Sequence, residues 1–160
     1  MASIKISITM RTILILFVIT VLSGSVLGQE VDVAFATRSA SYTTDVYFSS
    51  RPASYTTDVY FSSRPASYTT DIYVTTNSFY CDVEVSRNSA SYTKDIYIST
   101  RSASYTKDIY LASRPASYTK DIYITNSASS ADYTICFPSG FEYDERHIAA
   151  IFVLYLMKEE

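Results

Sequence analysis

The chain is 160 residues long, with 13 Lys and Arg against 16 Asp and Glu, a formal net charge of −3, 16 Tyr, 2 Cys, 3 Gly and no Trp. A mildly acidic balance without a basic stripe excludes an electrostatic grip on nucleic acid or anionic lipid. One histidine and two separated cysteines offer no zinc-ligand spacing.

Residues 1–28 read as a secretory signal peptide. "MASIKISITMR" carries Lys5 and Arg11 and no acid, "TILILFVITVL" is mainly apolar, and "SGSVLGQ" is small and polar. Val26 and Gly28 stand at the −3 and −1 positions of a cut before Gln29. The apolar run falls short of the roughly 20 residues a membrane span needs. Secretion is therefore expected, with no stable transmembrane span. The chain from Gln29 onward then carries 11 − 16 = −5, and residues 29–37 read as a short leader.

One phrase then dominates. "RSASYTTDVYFSS" begins at Arg38, "RPASYTTDVYFSS" at Arg51 and "RPASYTTDIYVTT" at Arg64. Residues 38–76 thus hold three 13-residue units, and residues 87–126 hold three more. The octet A-S-Y-T-x-D-[VI]-Y recurs in all six, with Thr44, Thr57 and Thr70 at x in the first block and Lys94, Lys107 and Lys120 in the second. Each block runs into a degenerate stretch with one cysteine: a spacer at 77–86 holding Cys81, and a linker at 127–140 holding Cys136. In an oxidising compartment these two are candidates for one disulfide, the alternatives being two free thiols or links between chains.

The octet prefers extended structure, because Tyr, Thr, Val and Ile are strand formers. Alternation puts Tyr42, Thr44, Val46 and Phe48 on one face, and Ser41, Thr43, Asp45 and Tyr47 on the other. The apolar face is thin, the second block puts a lysine at its centre, and glycines for tight hairpins are missing. The expected fold is therefore a mostly extended, disordered low-complexity array with β tendency, or at most a small β-meander. It is flanked by the signal helix and, over 141–160, by an amphipathic or apolar C-terminal helix rich in Ala149, Ala150, Leu154 and Leu156.

No catalytic constellation is visible, and the chain reads as a non-enzyme without cofactor or metal. His147 is the sole histidine, in a charged "DERH" run, and no Gly-rich phosphate loop or Ser-His-Asp order exists. Each unit offers one aspartate, where calcium takes about six to eight oxygens. The chemistry-bearing groups are phenols. The first tyrosines are Tyr42, Tyr55, Tyr68, Tyr92, Tyr105 and Tyr118, and the second are Tyr47, Tyr60, Tyr73, Tyr97, Tyr110 and Tyr123. All twelve are candidates for sulfation or oxidative coupling.

Two functions follow. A leader, near-identical tyrosine-bearing cores and an odd tail resemble, in architecture, secreted multi-copy precursors of signalling peptides and the plant precursors of tyrosine-crosslinked cyclic peptides. That resemblance implies trimming at the punctuating Arg38, Arg51, Arg64, Arg87, Arg101 and Arg114, after removal of the signal at Gly28. Its partners would be a processing protease, a separate tyrosine-modifying oxidase and a receptor for the released peptides. Some such precursors carry a histidine- and cysteine-rich copper cyclase domain, which this chain lacks. The alternative is an extracellular structural protein, similar in composition to tyrosine-rich wall and adhesive proteins, crosslinked through its phenols. A third reading has the intact repeats display one epitope six times and gain by multivalency.

Overall fold

In a computed structural model of the chain, residues 31–77 and 79–157 are described. The expected signal peptide and its cut after Gly28 lie outside them.

The described residues form nine strands: β1 Val31–Phe35, β2 Thr43–Ser49, β3 Thr57–Ser62, β4 Thr70–Thr75, β5 Val83–Ser86, β6 Lys94–Ser99, β7 Lys107–Ala112, β8 Lys120–Thr125 and β9 Tyr133–Cys136. All pairings are parallel. The strands close into a barrel in the order β1-β6-β2-β7-β3-β8-β4-β9-β5, returning to β1. A compact ordered barrel replaces the expected disordered array, and parallel pairing replaces the expected meander.

The order shows how the chain winds. Each strand takes the position two places on from the last. The first lap, β1 to β5, occupies alternate places, and the second lap, β6 to β9, fills the gaps. An odd number of places is what makes this work. A step of two around an even ring would bring the second lap back onto the first. The Thr and Lys blocks therefore interleave strand by strand.

Parallel strands ordinarily need a crossover of a dozen or more residues. Here seven residues, 50–56, link β2 to β3. Register explains the economy. Ser49 at the end of β2 lies beside Tyr110 of β7, and Thr57 at the start of β3 lies beside Ile109 on the other flank of β7. Stagger brings the end of one strand level with the start of the next, so the loop steps across a single intervening strand. No hairpin occurs among the described residues, which is why missing turn glycines are no obstacle.

Inside lie Val33, Val46, Val59, Ile72, Val85, Ile96, Ile109, Ile122 and Ile135, all at most 2% exposed. They recur every 13 residues, except for one 11-residue step from Val85 to Ile96. Burial of each contributes roughly 1.5–3 kcal/mol.

One apolar residue per strand is too thin a core alone, and the chain supplies the rest. Helix α1, Glu145–Ile151, continues into a π-helical turn, Phe152–Leu156. Six successive residues, Ile148 to Val153, are buried. A helix buried on every side needs a wall on every side, and the closed barrel is that wall. Its start meets the C-terminal ends of the strands, with Arg146 over Phe48 and His147 edge-on to Phe35. Its end meets the strand starts, with Tyr155 against Thr44. The helix thus threads the barrel against the strand direction. Twelve residues at about 1.5 Å each make ~18 Å, close to the ~20 Å of a six-residue strand. Ala149 and Ala150, both fully buried, leave room for the surrounding Val and Ile. Of the expected 141–160 helix, residues 145–156 are therefore an apolar plug and not an amphipathic surface helix.

Asp144 caps α1 by accepting from the backbone N–H of Arg146 and His147 at 3.0 and 3.2 Å. Its carboxylate also lies 2.7 Å from His147 Nδ1. The expected leader contains β1, the spacer contains β5 and the linker contains β9.

Candidate functional site

Each regular unit enters its strand through the same turn. In the first, Thr43 N–H donates to the Ala40 carbonyl at 3.0 Å, and Ala40 N–H donates to Thr43 Oγ1 at 3.0 Å. The Thr43 hydroxyl sends its one proton to Asp45 Oδ1 at 2.7 Å, since the carbonyl is already served. The same hydroxyl–carboxylate bond recurs at Asp58, Asp71, Asp95, Asp108 and Asp121, at 2.6–2.8 Å. This hydrogen bonding accounts for Thr and Asp two residues apart: together they fix the turn that aims the chain into the barrel wall. Asp45, Asp58, Asp95, Asp108 and Asp121 are buried beneath it.

The two tyrosines of the unit part company. Tyr42, Tyr55, Tyr68, Tyr92, Tyr105 and Tyr118 lie on the crossovers and are 68–73% exposed. Tyr47, Tyr60, Tyr73, Tyr97, Tyr110 and Tyr123 lie on the strands, point outward and are half-buried. Pro52, on the loop stepping over β7, shares a cleft with Tyr110. Packing explains the second tyrosine, but no contact of the fold requires so exposed a first one.

Four of the first tyrosines share a cleft with the turn of their neighbour in the barrel. Tyr118 shares a cleft with Ala53, Ser54, Thr56 and Asp58. Tyr42 does so with Ala90, Ser91, Thr93 and Asp95. Tyr105 does so with Ala40, Ser41, Thr43 and Asp45. Tyr68 does so with Ser117, Thr119 and Asp121. The barrel thus carries six exposed phenols on its crossovers.

Inward, the variable x position lines the mouth of the barrel where the strands begin. Lys107 lies in register with Val46 and Lys120 with Val59, while Thr44 lies in register with Ile96 and Thr57 with Ile109. Thr and Lys therefore alternate around this rim. Lys94 and Lys107 reach solvent, which resolves the lysine at the centre of an apolar face. Nearby, burial pushes the Tyr155 phenol above its ordinary value, against the pull of its contact with Thr44 and with Asp95 adding to the rise.

The remaining predicted residues are placed as follows. Cys81 and Cys136 form a disulfide with Cα atoms 5.8 Å apart. Arg38, Arg51, Arg64, Arg87, Arg101 and Arg114 are exposed, and Arg87 also donates to the Ser139 carbonyl. His147 serves the helix cap. Among the described residues no cluster of His, Cys, Asp and Glu is arranged to hold a metal, and no helix is long and apolar enough to cross a membrane.

Three units escaped the octet. β1, β5 and β9 carry Val33, Val85 and Ile135 at the inward position while losing most of the surrounding residues. The 13-residue spacing of buried Val and Ile was the signal that could have found them. No protein-family model, curated protein or solved structure matches the chain.

Proposed function

We propose that the chain works intact outside the cell, as a rigid presenter of tyrosines that couple oxidatively between molecules. The observation that carries this reading is the split between first and second tyrosines. Six phenols stand about seven-tenths exposed around one barrel, while their six partners are half-buried on the strands. Coupling removes one hydrogen from each of two phenols and joins the rings, with peroxide reduced to water by a separate extracellular peroxidase. The disulfide fits an oxidising compartment.

The barrel favours an intact chain because every unit gives one strand to the wall, flanked on both sides by strands of the other lap. Excising any unit breaks two ladders. The test is treatment of the purified chain with peroxidase and hydrogen peroxide. Dityrosine fluorescence, with oligomers whose crosslinked peptides carry first tyrosines, supports the reading. A chain that stays monomeric under these conditions contradicts it.

The multi-copy precursor is the second reading, supported by the exposure of all six punctuating arginines. Released peptides bearing the octet in native secreted material would favour it, and a single mass matching residues 29–160 would favour the intact chain.

A further inference from the structure

The arginines are scattered along the chain, and the fold gathers them. Five residues after each inward Val or Ile comes one equivalent place, past the strand end. Arg38, Arg51, Arg64, Arg101 and Arg114 hold it after β1, β2, β3, β6 and β7. After β4, β5, β8 and β9 it is held by Asn77, Ala90, Ser127 and Gly140. Around the barrel the five arginine-bearing strands stand in the unbroken order β1-β6-β2-β7-β3. The two-lap winding thus joins arginines of both blocks into one arc and leaves the other four places uncharged. Register sets the spacing. Val46 lies beside Lys107, two residues before the inward Ile109, so neighbouring units differ by one strand and two residues. Equivalent positions along the arc then repeat at ~8 Å.

All five side chains are exposed, and among the described residues no carboxylate pairs with any of them. Arg87, outside this register, is instead taken by the Ser139 carbonyl. The aspartates of the same crossovers accept from their own threonine hydroxyls, so the charge that solvent meets on the arc is arginine. Four residues after each arginine stands an exposed phenol: Tyr42, Tyr55, Tyr68, Tyr105 or Tyr118. Arg114 and Tyr118 line one cleft, with Pro52 of the neighbouring crossover.

We infer that this arc binds an acidic polysaccharide. A guanidinium forks onto a carboxylate or sulfate, and a phenol offers its face to the apolar face of a sugar ring. A row of cation and aromatic pairs matches a polymer that repeats anion and ring. Nucleic acid repeats them too, but the disulfide fits an extracellular setting, where the acidic polymers are chiefly polysaccharides. The binding needs no phenol coupling and stands apart from it.

The test titrates the full chain by calorimetry, without peroxidase, so that its failure leaves the coupling reading untouched. The probes are polygalacturonate for carboxylate and dextran sulfate for sulfate, with polyglutamate and single-stranded DNA as acidic polymers of other classes. At least one acidic polysaccharide is expected to bind more tightly than polyglutamate and DNA, and more weakly as salt rises. Arg51→Gln/Arg114→Gln, adjacent on the arc, should weaken that binding by at least ~10-fold, as loss of charge-assisted hydrogen bonds would. Lys94→Gln/Lys107→Gln removes the same two charges at the mouth where the strands begin and should change it by less than ~2-fold. Both variants should keep the native circular dichroism, because all four side chains are exposed. Three results each overturn the assignment: neither polysaccharide binds, the two double variants weaken binding equally, or polyglutamate or DNA binds as tightly.

Discussion

Cys81 and Cys136 are bonded across the same geometry that relates Tyr55 to Tyr110. Cys81 stands two residues before the strand-opening Val83, as Tyr55 stands two before Thr57. Cys136 stands three residues after Tyr133, as Tyr110 stands three after Lys107. The register agrees: Thr75 and Val83 flank Cys136 and Ile135 of β9, as Ser49 and Thr57 flank Tyr110 and Ile109 of β7. The disulfide spans 55 residues, and 110 − 55 gives the same interval. It ties a crossover to the strand beneath, with cysteines at the two places that Tyr55 and Tyr110 hold.

That equivalence predicts a second bridge. Tyr55→Cys/Tyr110→Cys should oxidise to an intramolecular disulfide in the folded chain, seen as a new linked peptide pair after digestion. Conversely, Cys81→Ser/Cys136→Ser should destabilise the barrel by about 4 kcal/mol, the chain-entropy value for a loop of this length, measured by urea unfolding against the parent.

The two-lap winding makes single units indispensable. Deleting residues 51–63 removes β3 with its crossover and leaves an even ring, on which a step of two no longer reaches the gaps. The expected result is loss of the cooperative thermal transition. In a loose array, the same deletion would leave neighbouring units untouched.

The plug tolerates little added volume. Ala149 and Ala150 are fully buried where the helix meets the inward ring of Val and Ile. Ala150→Leu should cost roughly 1–3 kcal/mol by overpacking, read as a lower denaturation midpoint. Ala150→Gly should cost less, about 1 kcal/mol from lost helix propensity.

The helix cap carries a pH dependence of known sign. Burial raises the Asp144 carboxyl, but the hydrogen bonds and charge of His147 and the backbone N–H of Arg146 outweigh it and hold the group below its ordinary value of 3.8. A depressed carboxyl contributes stability that is present above the unfolded pKa and lost as pH falls through the folded one. Asp144→Ala should therefore cost about 1 kcal/mol at neutral pH, as for other lost N-caps. The difference from the parent should shrink below pH ~4. Thermal melts at neutral and acid pH check this.

Much of the local structure was legible in the residues. The strand tendency of the octet, the inward face of Val46 and Phe48, the helical tail and the Cys81–Cys136 pair all stand in the fold. Three things were hidden. The two-lap order depends on pairing between Thr44 and Ile96, residues from different blocks, which local patterning does not reveal. The thin apolar face looked unable to hold a core because the missing half, Ile148 to Val153, lies at the far end of the chain. The separate fates of Tyr42 and Tyr47 followed from crossovers that no hairpin-based reading supplies. Without the barrel, the lysines at the x position looked like a conflict, whereas they line its mouth.

The measurement that bears most directly on this account is chemical nitration of tyrosines in the native chain, mapped by mass spectrometry. The barrel predicts early modification of Tyr42, Tyr55, Tyr68, Tyr92, Tyr105 and Tyr118. Tyr47, Tyr60, Tyr73, Tyr97, Tyr110 and Tyr123 should lag well behind until denaturant is added. Equal rates at all twelve positions in the native chain would contradict both the interleaved barrel and the division of labour between its tyrosines.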